Sequence, residues 1–141
     1  MFREVRREGK WESLETPYLE DEGTEDERLY LDSLSLGRNY WLFGLLARGV
    51  RTEWEFSWDA RGLPEDVSDV VKHDSDQWDC DGHNHSWLSL IELKHKATEL
   101  LILPGQEAPQ CGALLRDLID KIEWPADAAP EDCRVVFWFD N

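Results

Sequence analysis

The end of the chain sets the tightest limit on the fold. Residues 134–139 read Arg-Val-Val-Phe-Trp-Phe, a run of β-formers that is apolar on both faces. A half-buried strand alternates apolar and polar residues. A run without alternation needs cover on both faces, so this strand is predicted at the centre of a sheet. Its expected neighbour is an N-terminal hairpin over residues 2–14, with Phe2, Val5 and Trp11 as apolar members and Glu8-Gly9 as the turn.

Between these ends the periodicity is mostly helical. Asn39 can cap a helix over 39–48 in which Tyr40, Phe43, Leu46 and Ala47 recur at helical spacing, with Arg48-Gly49 closing it. Residues 53–58 place Trp54, Phe56 and Trp58 in alternation and predict a strand with a buried aromatic face. Arg61 to Asp66 is a turn-rich connector, and Ser68 can cap a short helix reaching about Asp74. Residues 74–86 read as a polar loop. Ser89-Leu-Ile-Glu92 has the spacing of a capping box, so a helix should run from Leu90 to about Leu101, burying Leu90, Leu93, Ala97, Leu100 and Leu101. A further helix is predicted over 112–122, ended by Trp124-Pro125, with an Ala/Pro/Asp linker over 125–132.

The expected fold class is α+β: a small mixed or antiparallel sheet, made of the hairpin and the last strand, packed by three to four helices. At 141 residues the chain suits a single domain, 1–141. The acidic run at 20–27 repels itself and predicts a mobile loop at about 19–28.

Composition narrows the function. There are 31 acidic against 15 basic residues, a formal charge of -16. Phosphate backbones need a basic face, so binding of nucleic-acid polymers through an open surface is excluded, as is an anionic membrane. The longest apolar run, Tyr40 to Ala47, is too short to span a bilayer. Residues 1–7 lack an apolar signal core, and three widely spaced cysteines suit a reducing compartment; a cytoplasmic location is expected. Any of the eight tryptophans left exposed would favour self-association.

Two places can carry chemistry. The first is Asp79 to Trp87 (Asp-Cys-Asp-Gly-His-Asn-His-Ser-Trp). On an extended segment His83 and His85 would face the same way. With Asp81, or with Asp79 or Cys80, they could begin a zinc or manganese site. The plainer alternative is that Asp81-Gly82 makes a turn, the histidines bond local backbone, Ser86 caps the next helix, and Trp87 anchors the core. The second is Gly37-Arg38-Asn39-Tyr40-Trp41, where an arginine stands at a helix start in a strongly acidic chain. Arg48, Arg51 and Arg61 are the next basic groups; they could converge on the same cleft or pair with surface acids. No nucleophile elbow or phosphate-loop motif is present.

Four blocks give the chain a resemblance. They are Arg38-Asn39-Tyr40-Trp41-Leu42-Phe43, Arg61-Gly62-Leu63-Pro64-Glu65-Asp66-Val67-Ser68, Asp81-Gly82-His83-Asn84-His85-Ser86-Trp87-Leu88 and Val136-Phe137-Trp138-Phe139-Asp140-Asn141. Together they resemble a family of small bacteriophage and prophage proteins, in which a Ser commonly stands where Asn84 does here. The resemblance brings no assigned activity; it implies a phage context, where small proteins often interfere with host defence.

Three functions follow as expectations. The first is a binding protein that sequesters a small phosphorylated, nucleotide-like immune signal without turnover and without a cofactor. Arg38, the N–H groups around Asn39, and Arg61 would hold phosphate, Tyr40 or Trp87 would stack on a base, and Asp81, His83, His85 and Ser86 would line the polar part of the site. The second is a metal-dependent hydrolase in which His83, His85 and Asp81 hold zinc or manganese. The third is an acidic mimic of DNA that blocks a basic host protein.

Overall fold

The structure is a computed structural model that describes residues 1–20, 28–31 and 35–140, the segments 17–20 and 28–31 by their backbone alone. The acidic run at 21–27 lies outside the described residues.

The fold is α+β, as expected. Four strands form an antiparallel sheet in the order β2-β1-β6-β5, where β1 is Phe2–Arg7, β2 is Lys10–Ser13, β5 is His83–Ser89 and β6 is Cys133–Phe139. A separate antiparallel pair joins β3 (Pro17–Glu20) to β4 (Arg28–Leu31). The sequence reading missed this pair and placed residues 19, 20 and 28 in a loop. The described residues also form four α-helices, α1 Tyr40–Leu46, α2 Asp69–Trp78, α3 Leu90–Ile102 and α4 Glu107–Lys121, and a 3-10 turn at Pro130–Asp132.

The hairpin and the central strand stand where the pattern put them. Glu8 and Gly9 both have positive φ, 49° and 78°, which matches the twist of a two-residue hairpin turn. Strand β6 pairs with β1 on one edge and β5 on the other, with Phe2 opposite Val136 and Leu88 opposite Val135. Its side chains are buried on both faces, Trp138 only partly. Val135, Phe137 and Phe139 point into the main core with Leu45, Leu88, Leu93, Leu100 and Leu115, under α1, α3 and α4. Val136 and Trp138 point the other way, into a smaller core with Phe2, Trp87 and Val71 of α2. The sheet is therefore a middle layer between two unequal sets of helices.

The helix signals held best where a cap was encoded. Ser89 and Glu92 form the full capping box, and α3 buries Leu90, Leu93, Ala97 and Leu100. Asn39 caps α1, its Oδ1 accepting the Leu42 N–H at 3.1 Å. The buried face of α1 is Leu42, Gly44, Leu45 and Leu46, however, and Tyr40 is 46% exposed. Ser68 occupies the cap position of α2 but makes no side-chain capping bond. Helix α2 runs to Trp78, past the expected end near Asp74, because Asp74 and Ser75 are buried and Lys72 pairs with Asp76 at 2.7 Å one turn on. Helix α4 starts at Glu107, five residues early; Pro109 sits in its first turn, where a missing N–H costs nothing.

Two further segments differ from expectation. Residues 53–58 are not a strand. Their polar groups are taken locally: the Trp58 N–H donates to Leu45 O, the Arg48 N–H donates to Trp58 O, and the Arg48 guanidinium donates to the carbonyls of Trp54, Glu55 and Ser57. The aromatic side chains still pack on the main core. The residues read as a loop over 74–86 instead finish α2 and begin β5, since pairing with β6 satisfies the backbone of the histidine segment.

Thr52, just before the aromatic segment 53–58, lies so close to α1 that Gly44 must lack a side chain. A Cβ there would fall inside contact distance of the Thr52 carbonyl oxygen and side chain. Gly44→Ala is expected to cost about 1–3 kcal/mol by overpacking, despite the helix preference for Ala. A lower urea midpoint would show it; an unchanged or raised midpoint would contradict the close approach.

The sheet also carries a buried ionic cluster. Glu4 and Arg134 are almost fully buried, and the Arg134 Nε donates to Glu4 Oε2 at 2.8 Å. The other Glu4 oxygen accepts the Ser68 N–H at 2.8 Å, one of the donors at the start of α2 that has no partner within the helix. Arg134 also donates to Asp66 at 2.8 Å, and its guanidinium lies 3.9 Å from the Trp11 ring centre. Arg134 holds the Asp66 carboxyl below the usual carboxylate range by that hydrogen bond.

Candidate functional site

A cavity of about 820 Å³ opens between the start of α1, the segment 49–51 and the β5/β6 end of the sheet. Such a volume lies in the range of small-molecule sites, roughly 300–1,000 Å³. Its floor is apolar, with Phe43, Leu46, Phe137 and Phe139. Its polar groups come from Ser35, Arg38, Tyr40, Arg51, His83 and Asp140.

Local backbone geometry brings the two arginines there. Gly37 has φ of 61° just before Arg38, a conformation that favours Gly. Arg51 itself has φ of 64°, unusual for a residue with a Cβ and a form of stored strain. The result is that the Arg51 guanidinium lies 5.6 Å from the centre of the Tyr40 ring. Among the described residues neither Arg38 nor Arg51 has an ion pair. The other arginines considered are committed elsewhere. Arg48 pairs with Asp59 at 2.8 Å and Glu53 at 3.3 Å, besides its three carbonyls. Arg61 pairs with Glu92 at 2.6 Å and lies 4.9 Å from the Trp87 ring centre. Burial would raise the Glu92 carboxyl, but the hydrogen bonds from Arg61 and Ser89 outweigh it and hold it low.

The histidine segment is split by a bulge. His83 stands opposite Phe139 and Ser86 opposite Phe137, with the register shifting between them. Asn84, at φ 53°, supplies the extra residue. His83 therefore shares the face of Phe139, at 6.3 Å between ring centres, while His85 stacks on Trp138 at 5.3 Å on the opposite face. The two histidines do not face the same way, which corrects the expectation from simple alternation. The Nδ1 of His83 lies 2.7 Å from the Asn84 side-chain oxygen.

The remaining predicted residues lie away from the cavity lining. His85 Nε2 is 2.9 Å from the Ser75 hydroxyl of α2. Ser86 is buried, and its hydroxyl accepts the Arg61 N–H at 3.2 Å. Trp87 packs in the smaller core. Asp81 is exposed in the turn after α2, its N–H donating to Trp78 O. Asn39 is committed to its cap and borders a separate shallow groove with Trp41 and Gln110. Arg38, Tyr40 and His83 are thus brought to one cavity, and Asn39, Arg61, Asp81, His85, Ser86 and Trp87 are not. Asp140 was not singled out from the sequence, and Arg51 was named only as a basic group nearby. Arg51 had a partial signal in its position after Gly49; Asp140 had none. Among the described residues no three His, Cys, Asp or Glu side chains gather as a metal ion would require.

Burial, and secondarily the charge of His83, lowers the pKa of His85. In the folded protein His85 thus takes up a proton less readily than in the unfolded chain. The contribution of His85 to stability should be constant above the ordinary histidine pKa of about 6.5 and be lost as the pH drops below it, on top of a decline from the buried Met1 amine, whose pKa burial lowers to about 6. We expect the urea midpoint to decline from pH 7 to pH 5.5, and His85→Asn to flatten that decline. An equal decline in the variant would contradict the assignment.

No protein-family profile, curated protein or solved structure matches this chain. No described helix is long and apolar enough to cross a membrane.

Proposed function

We propose that the protein binds a small phosphorylated, nucleotide-like molecule in the cavity and sequesters it without turnover. One observation carries this reading: Arg38 and Arg51 line the same cavity with no acid partner among the described residues, in a chain of charge -16. With acids in twofold excess, an arginine without a carboxylate partner is a group kept for an anion from outside. Tyr40, beneath Arg51, adds an aromatic surface on which a base can stack. The phage context implied by the four sequence blocks makes a nucleotide immune signal in the host cytoplasm the fitting ligand. The two histidines stand apart on the sheet, so the hydrolase reading gains no support.

The test is isothermal titration of the untagged protein with adenosine 5′-monophosphate, ADP-ribose and cyclic di-AMP. At least one should bind and be recovered unaltered afterwards. Wild-type protein that binds none of them would contradict the proposal, and recovery of a hydrolysed product would contradict the absence of turnover.

A further inference from the structure

The cavity is lined by both signs of charge, and this specifies more of the ligand. Arg38 and Arg51, which only donate hydrogen bonds, stand on the flank formed by α1 and the segment 49–51. Asp140 follows directly after β6 and lines the same cavity from the sheet end, beside His83. Asp140 is exposed and makes no ion pair with either arginine, although all three line one space. In an acidic chain the simplest use of a cavity arginine would be to neutralise the nearest carboxylate. Here no such ion pair forms, so both signs of charge remain available to a ligand. His83 stands beside Asp140, and because its Nδ1 is engaged by the Asn84 side chain, Nε2 is the ring nitrogen left for a ligand.

We infer that the ligand carries a free vicinal diol, as on a ribose, at the end away from its phosphate, and that Asp140 is the residue that reads it. A carboxylate has two acceptor oxygens and takes hydrogen bonds from both hydroxyls of a cis-diol, the chemistry by which an acidic residue recognises ribose in dinucleotide sites. An anion lacking such donors would meet the Asp140 charge uncompensated and be disfavoured. Asp140 thus sets specificity, and the arginines set affinity for anions. The inference rests on the anion-binding reading above.

The experiment compares adenosine 5′-monophosphate with its 2′,3′-dideoxy analogue, by titration into wild type, Asp140→Asn and Arg51→Ala. The wild type should prefer the ribonucleotide by roughly tenfold or more, as expected for hydrogen bonds to a charged acceptor. Asp140→Asn should lose most of that preference, in part because the dideoxy analogue, no longer facing an uncompensated carboxylate, binds more tightly than it does to the wild type. Arg51→Ala should weaken both nucleotides alike. Equal wild-type affinity for the two, or an undiminished preference in Asp140→Asn, would overturn the diol inference and leave the anion reading standing. So would binding of cyclic di-AMP alone, which has no free vicinal diol. A wild type that binds none of these nucleotides would overturn both.

Discussion

Glu4→Ala is expected to lower the unfolding free energy by about 3–5 kcal/mol, the cost of breaking a buried ion pair from one side. Glu4 is fully buried between the central strand and the entry to α2. Its loss strands two groups together. The Arg134 guanidinium, 2% exposed, would keep Asp66 and the rings of Trp11 and Trp87 as partners but lose its buried counter-charge. The Ser68 N–H, at the start of α2, would lose its acceptor. Domains of this kind are stable by only about 5–15 kcal/mol, so the variant should retain little margin. Replacing both members with apolar residues, as Glu4→Leu with Arg134→Met, should cost less than Glu4→Ala alone, since no charge is then buried without a partner. Denaturant midpoints at constant slope would measure both. A Glu4→Ala cost under about 1 kcal/mol would show that the cluster is solvated and does not hold α2 to the sheet.

The larger functional effect is expected from the cavity arginines. Arg38→Ala combined with Arg51→Ala should weaken binding of a phosphorylated ligand by at least about a hundredfold. Hydrogen bonds to charged groups contribute about 1.5–3 kcal/mol each, and every 1.4 kcal/mol is tenfold. Stability should change little, because neither guanidinium has an ion-pair partner to lose among the described residues. Arg48→Ala behaves in the opposite sense. It removes bonds to three carbonyls that hold the aromatic segment, so it should destabilise the fold and affect binding only through that. Equal loss of binding in Arg48→Ala and in the double variant, at equal stability, would contradict the division between structural and ligand-facing arginines.

The sequence disclosed the parts of this fold that are governed by local pattern. The doubly apolar run at 134–139 demanded a central strand, and Ser89 with Glu92 encoded a helix start to the residue. It failed where tertiary partners override pattern. Trp54, Phe56 and Trp58 alternate like a strand, but Arg48 and the end of α1 take the hydrogen bonds a sheet would need. The candidate site was legible only in part, for the same reason. Arg38, Tyr40 and His83 converge, yet a bulge at Asn84 sends His85 through to the other face. A single inserted residue reverses facing, and a positive φ at Asn84 is not written in a hydrophobic pattern. Asp140 became a cavity residue only because β6 ends beside His83, which is a fact of register.

The most direct test of the cavity's role is native mass spectrometry of the untagged protein purified from cells, beside its denatured mass. The account expects one non-covalent adduct per chain, with the mass of a phosphorylated organic molecule, carried by the wild type and missing from the Arg38→Ala, Arg51→Ala double variant. A wild-type protein that shows no adduct, and takes none up from adenosine 5′-monophosphate, ADP-ribose or cyclic di-AMP, would contradict it.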